Sequence, residues 1–264
     1  MPASERVVNG VRLHCEERGE GTPILCIHGA GSSSAMWSDA VAELARLGRA
    51  IAYDRRGYGR SERPERRRPT SVAEHAGDAA ALLDALDAAP AIVIGRSYGG
   101  EVATDLALRH PERVRALVLL EGAPIRLLPA AEEWTRALRD RLREVADREG
   151  DGALGETLVR AVMGNDTWSS LPEQARQVIS DNGPAALADL EGDWLDVDAA
   201  ALAAIEQPAL LVGASDSDPV LRDPNDAMAA AVPNARTATV EGGHLVDPAH
   251  PVVTAFVQEV LDRP

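Results

Sequence analysis

The sequence contains no lysine; all 27 of its basic residues are arginine, set against 42 acidic ones for a net charge of -15. With the abundance of alanine, the missing lysine reads as coding bias from a GC-rich genome. The charge balance argues against a nucleic acid or an anionic membrane as partner, since both need a basic face. The one basic run, residues 63–68, is interrupted by Pro64 and Glu65 and reads as a solvated loop. Cysteine is nearly absent too. Cys15 and Cys26 both fall in predicted strands and make no metal-ligand spacing, so two reduced structural thiols are expected and no metal site. No apolar run approaches the length of a membrane span, and the first residues carry no signal-peptide core. A cytoplasmic protein acting on a small molecule is the expectation. No internal repeat is visible.

At 264 residues, 45% hydrophobic and 26% charged, the chain can bury a full core. Its organising stretch is Ala91-Ile92-Val93-Ile94-Gly95-Arg96-Ser97-Tyr98-Gly99-Gly100. An apolar β-rich run breaks at the glycines, and a helical pattern starts at once. That is a strand, a tight turn and a helix with one serine at the apex. The apex needs a strained backbone, so its neighbours must be small for strand and helix to approach. Ser97 is thereby lifted clear of the sheet, and the first amides of the helix point at the same space.

The rest of the chain builds a frame around this turn. Asn9-Gly10 predicts a hairpin between Val7-Val8 and residues 11–15. Residues 23–27 form a buried strand that ends in His28-Gly29-Ala30-Gly31 and a serine-rich loop. Residues 50–53 form another strand, followed by the loop 54–61. Ser71 and Glu74 predict a capping box at the head of a helix, on which His75 reads as a surface or packing residue. Residues 114–120 form a strand ending at Glu121. Alternating strands and helices predict a doubly wound, mostly parallel sheet. Residues 124–205 break that rhythm with helices near 130–149, 155–163, 172–180 and 185–190. A helical lid over the catalytic face suits them, between core segments 1–123 and 206–264. Trp134, Trp168 and Trp194 lie there, at least two of them expected in the lid's own core. Asp189, Glu191, Asp193, Asp196 and Asp198 read as a solvated acidic surface. A strand over 207–213, a helix near 223–231, a strand over 237–240 and a closing helix complete the chain.

A serine hydroxyl needs a base, and an imidazole base needs a carboxylate to hold its tautomer. His244 follows the last strand after two glycines, at the carboxyl end of the sheet. His28 lies at that end as well, and its simplest role is to brace the glycine loop. Asp216, three residues beyond Gly213, is the first choice of acid. Asp218 and Glu121 are its rivals, and any of the three could instead cap a turn.

Five stretches (28–31, 54–61, 95–100, 213–219 and 242–244) together resemble the α/β-hydrolase fold family over nearly the whole chain. The resemblance implies an eight-stranded α/β core with a helical lid. It implies Ser97 as nucleophile, His244 as base, oxyanion-hole amides at Ala30 and Tyr98, and no metal or organic cofactor. It leaves the acid open, because Asp216 and Asp218 flank Ser217 where many relatives carry one aspartate, and some relatives use the position of Glu121. The expected activity is serine hydrolysis of a carboxylic ester, or of a thioester or a C–C bond beside a carbonyl, with haloperoxidase chemistry as a side activity. A serine at the apex disfavours epoxide hydrolase and dehalogenase chemistry. The alternative readings are a small-molecule receptor and a biosynthetic cyclase or lyase.

Overall fold

The computed structural model describes residues 3–63 and 67–263. The chain enters through β1 (Ala3–Val8) and β2 (Val11–Arg18), joined at Asn9 and Gly10 with φ of 48° and 75°. Left-handed geometry at both positions matches a two-residue turn to the twist of its strands, and Asn-Gly adopts it at least cost. Then follow β3 (Pro23–Ile27), α1 (Ser38–Leu44), β4 (Arg49–Tyr53), α2 (Val72–Ala85), β5 (Ala91–Arg96), α3 (Tyr98–Arg109) and β6 (Val114–Leu120). At the head of α2 the Ser71 hydroxyl accepts from the Glu74 N–H at 3.1 Å and the Glu74 carboxylate accepts from the Ser71 N–H at 3.2 Å, the predicted capping box.

After β6 the chain runs through α4 (Pro129–Glu149), α5 (Leu154–Met163), α6 (Asn165–Ser170), α7 (Glu173–Asp181), α8 (Gly183–Glu191) and α9 (Ala199–Leu202). It rejoins the sheet through β7 (Ala209–Ala214), α10 (Pro219–Ala231), β8 (Ala235–Val240) and α11 (Pro251–Leu261). The short helices α6 and α9 carry too few turns to show a periodic pattern and were not expected from the sequence. Helix α10 starts four residues earlier than the pattern suggests. Asp218 caps it by accepting from the Val220 N–H at 3.0 Å, and Pro219 opens it with a preset φ.

The eight strands make one sheet in the order β1-β2-β4-β3-β5-β6-β7-β8. Pairing is antiparallel from β1 to β2 and from β2 to β4, and parallel across the rest. Side chains alternate between two cores. Along β3, Leu25 and Ile27 join the layer holding α2 and α3, while Ile24 and Cys26 join the layer of α1 and α11. Helices cover both faces of the central strands, which is why β3 to β7 are mostly apolar and buried, while the edge strands β1 and β8 carry exposed polar residues. The helical insertion has a core of its own, centred on Leu138, Leu142, Leu154, Leu158, Leu187 and Leu190. Both cysteines are buried free thiols. Among the described residues no helix is long and apolar enough to cross a membrane. Of the basic run, Pro64, Glu65 and Arg66 lie outside the described residues.

Candidate active site

Ser97 joins β5 to α3 with φ 53° and ψ −129°, a conformation that costs a non-glycine residue about 1–3 kcal/mol. Its surroundings enforce it. The Ser97 N–H donates to the Leu120 carbonyl at 3.0 Å, and the Ser97 carbonyl accepts from the Gly100 N–H at 2.7 Å. The glycines are small because backbone fills their side-chain space. A Cβ on Gly95 would lie 2.4 Å from the Gly99 carbonyl oxygen, and one on Gly99 would lie 2.3 Å from that of Ile27. The loop after β3 comes equally close: a Cβ on Gly29 would lie 3.0 Å from Ser97 Cβ. Ala30, the next residue, lines a cavity of about 70 Å³ together with Ser97 and His244. The structure thus brings Ala30, Ser97, Tyr98 and His244 to one place.

Asp216 is not part of that group. It is exposed, and its carboxylate accepts from the neighbouring Ser215 hydroxyl at 2.8 Å. Asp218 is spent as the cap of α10. The carboxylate against His244 is Glu121, at the carboxyl end of β6 in a left-handed conformation with φ 45°. His244 Nδ1 donates to Glu121 Oε2 at 2.7 Å, so in the neutral ring Nε2 is the nitrogen free to accept. Glu121 Oε2 also accepts from the Ser217 hydroxyl at 2.8 Å, and Oε1 accepts from the Ala214 N–H at 2.7 Å. Burial would raise the Glu121 pKa, but the bonds to His244 and the Ala214 N–H outweigh it and hold the carboxyl below its ordinary range. The end of β7 and the loop after it therefore brace the carboxylate that meets His244, through the Ala214 N–H and the Ser217 hydroxyl, rather than supplying that carboxylate. The sequence held a trace of this in a lone carboxylate directly after seven strand residues that are apolar but for Arg115. Only the spatial neighbourhood of β6 and β7 decides between it and Asp216.

His28 braces the glycine loop as expected. Nδ1 donates to the Gly29 carbonyl at 2.8 Å and Nε2 accepts from the Arg55 N–H at 3.1 Å. Burial, then the Arg55 charge, push its pKa well below the ordinary histidine value, so it stays neutral. Behind it lies a group the sequence did not reveal. The Arg55 guanidinium, fully buried, donates to Asp189 at 2.8 Å and to the His28 and Gly29 carbonyls at 3.1 and 3.3 Å. Asp189 also accepts from the Tyr58 hydroxyl at 2.5 Å, and His75 Nε2 lies between Asp189 at 2.8 Å and Arg55 Nη1 at 2.9 Å. Asp189 is therefore not on a solvated acidic surface, and His75 is the packing residue of its two expected readings. Both are buried where α8 of the insertion meets the core. Arg55 and Asp189 stand 134 residues apart, and local composition around Asp189 is uniformly acidic, so no sequence window could pair them.

A second cavity of about 70 Å³ shares Ala30, Ser97, Leu158 and Val162 with the first, so the two flank the serine. The first is walled by Met36, Val159, Met163, Leu171, Ile179 and Leu245. The second holds Trp134 and Trp194, while Trp168 packs with Val159 and Ile179 inside the insertion. A larger cavity of about 530 Å³ lies away from Ser97, lined by Arg56, Arg63, Arg67 and Arg68. These arginines are engaged by Asp78, the Asp181 carbonyl, Asp151 and Glu74 respectively.

Glu101, one turn into α3, is fully buried, and its carboxyl accepts N–H bonds from Ile125 at 3.0 Å and Leu195 at 3.4 Å. Burial raises its pKa from 4.5 to about 8. The folded state then holds a proton that the unfolded chain has lost between pH 4.5 and 8, so stability should fall as pH rises through that window. Calorimetric melting of wild type should show this slope, and Glu101→Gln should flatten it. Equal slopes in the two proteins would contradict the assignment.

The α/β hydrolase fold family model matches residues 22–247. The chain is 40% identical over 129 residues to 2-hydroxymuconate semialdehyde hydrolase of Pseudomonas sp. strain CF600, a stretch covering 46% of this chain and 44% of that one. The match to this relative thus spans less than half its length. A candidate carbamate hydrolase, RutD, of Azorhizobium caulinodans is 33% identical over 244 residues, 88% of this chain and 87% of its own. The crystal structure of the enol-lactonase of Burkholderia xenovorans LB400 superposes with a TM-score of 0.74 at 25% identity, over 98% of both chains. With the sheet order and the serine turn, these matches make the chain a member of the α/β-hydrolase fold family.

Proposed function

We propose that the chain is a serine hydrolase that cleaves small carboxylic esters through an acyl-enzyme. One observation carries the reading: the Glu121–His244 pair, at 2.7 Å, faces the cavity that the strained Ser97 lines. Ser97 Oγ attacks the ester carbonyl and passes its proton to His244 Nε2. The N–H groups of Ala30 and Tyr98 hold the oxyanion, and Glu121 stabilises the imidazolium. His244 then returns the proton to the leaving alkoxide. Water enters, gives a proton to His244, and releases the acid from Ser97. The helical insertion acts as the lid, since Leu158, Val162, Trp134 and Trp194 wall the cavities. A lactone, a thioester or a C–C bond beside a carbonyl fits the same steps, and one structural neighbour is named an enol-lactonase. Such a site serves a small organic substrate and needs no cofactor.

The small cavities set the expected selectivity. Along p-nitrophenyl esters from acetate to octanoate, each buried methylene adds about 0.8 kcal/mol, close to fourfold in kcat/KM, until the space fills. The series should peak at or below butyrate, with octanoate at least tenfold under the peak. A fluorophosphonate should label Ser97 alone, read by peptide mass spectrometry. Labelling elsewhere, or a single acylation with no further turnover across the series, would remove the hydrolase reading in favour of a ligand-binding role.

A further inference from the structure

The second cavity beside Ser97 has a composition that ester hydrolysis does not require. Its walls include the rings of Tyr98, Trp134 and Trp194, the aliphatic Leu138 and Leu190, and the carboxyl of Glu101. Among the described residues no arginine or histidine lines it. The Glu101 carboxyl is 1% exposed and forms no ion pair among the described residues. Its two partners are backbone N–H groups, one on each stalk of the insertion. The Arg126 guanidinium, whose field reaches Glu101, is engaged by Glu132 at 3.5 Å and Asp196 at 3.8 Å. The other carboxylate in the wall, Glu121, is committed to His244. A buried carboxylate without a cation is costly, and the group avoids that cost by keeping its proton until a cation arrives.

The rings point to the same ligand. Aromatic faces attract desolvated cations, most strongly those of tryptophan, and attract alkylammonium groups that a carboxylate alone would bind weakly. Arg55 already occupies one face of Tyr98, at 4.8 Å, which leaves Trp134 and Trp194 as the rings for an incoming group. Trp194 is held edge-on to Tyr98 at 5.2 Å and donates its indole N–H to the Leu190 carbonyl at 3.4 Å, so its orientation is fixed before a ligand enters.

We propose that this cavity is a cation subsite, and that the substrate is an ester carrying an alkylammonium group on the side that enters it. This names the substrate class of the ester-hydrolase reading and rests on that reading for turnover alone. An ammonium beside Glu101 also draws its carboxyl back to the ionised form, which burial otherwise disfavours.

Two matched ester pairs test the proposal, one with the charge on each side of the bond. Acetylcholine is compared with 3,3-dimethylbutyl acetate, and p-nitrophenyl 4-(trimethylammonio)butyrate with p-nitrophenyl 5,5-dimethylhexanoate. The cationic member should be preferred about tenfold or more in kcat/KM in one pair. The ratio should fall to about twofold or less in Glu101→Gln, and partway in Trp134→Leu, which covers the case that the first variant does not fold. A merely structural role for Glu101 would slow both members alike and leave the ratio unchanged, which overturns the proposal, as would ratios near one in wild type. Calorimetric titration of Ser97→Ala with tetramethylammonium reads the subsite apart from the chemistry. Saturable binding lost with Glu101→Gln, in a protein that turns over none of the esters, would uphold the subsite and sink the ester reading. Turnover of the neutral esters with no ammonium preference and no binding would do the reverse.

Discussion

Alanine at position 97 should lower kcat by about 10⁵- to 10⁶-fold with the fold intact, and Glu121→Gln should lower it by about 10⁴-fold. The second number follows from how the acid is held. Glu121 Oε1 faces the Ala214 N–H, which needs an acceptor. A glutamine must place its oxygen there, so its NH₂ group takes the Oε2 position and points at His244 Nδ1. That nitrogen must then accept, the ring proton moves to Nε2, and His244 can no longer take the proton of Ser97. The Ser217 hydroxyl, now beside an NH₂ group, can rotate to accept, so the amide is not driven to flip. Asp216→Asn should stay within about threefold of wild type, because the Asp216 carboxylate is exposed and its one side-chain hydrogen bond among the described residues is to Ser215. Hydrolysis of p-nitrophenyl butyrate by the three variants decides the matter. A heavy loss in Asp216→Asn beside a mild one in Glu121→Gln would return the acid to the loop after β7.

The contrast between these two acids shows where sequence reasoning reaches. The serine turn was legible because its requirements are local: small residues on both sides of a strained apex, a strand before and a helix after. The same holds for the Asn9-Gly10 hairpin and the Ser71–Glu74 capping box, each decided within four residues. His244 was legible from its place after the last strand. The acid was not, since the loops after β6, β7 and β8 each carry a carboxylate. Which of them meets the histidine depends on the lateral spacing of β6, β7 and β8. The buried group of Arg55, His75 and Asp189 was hidden for a stronger reason. Local composition marks a charge as exposed, and only a partner on a distant element reverses that. Nothing in the local sequence marks Glu101, in the first turn of α3, as buried; its burial comes from the two stalks of the insertion, whose Ile125 and Leu195 N–H groups it accepts.

Breaking the Arg55–Asp189 pair is the change expected to cost most in stability. Asp189→Asn leaves the Arg55 guanidinium fully buried without a counter-ion, a situation that costs about 3–5 kcal/mol, whereas replacing both residues by leucine should recover much of it. Urea unfolding would show the single variant shifted far more than the double one. The pH dependence follows from the same pair. Burial would raise the Asp189 pKa, but the Arg55 charge and then His75 hold it at about 2, below the ordinary 3.8. Its contribution, about 2 kcal/mol, is complete above pH 3.8 and disappears as pH falls towards 2. The Asp189→Asn protein should therefore lack that part of the acid transition. Activity should respond in a particular way, because Arg55 also binds the His28 and Gly29 carbonyls that set the loop carrying Ala30. Releasing Arg55 loosens α8 of the insertion and the oxyanion-side loop together. KM should rise as the cavity walls lose their place, and kcat should fall as the Ala30 amide drifts from the carbonyl it holds, while fluorophosphonate labelling of Ser97 slows without being lost. A variant that unfolds more readily but keeps wild-type kcat would show instead that the glycine loop is held by His28 alone.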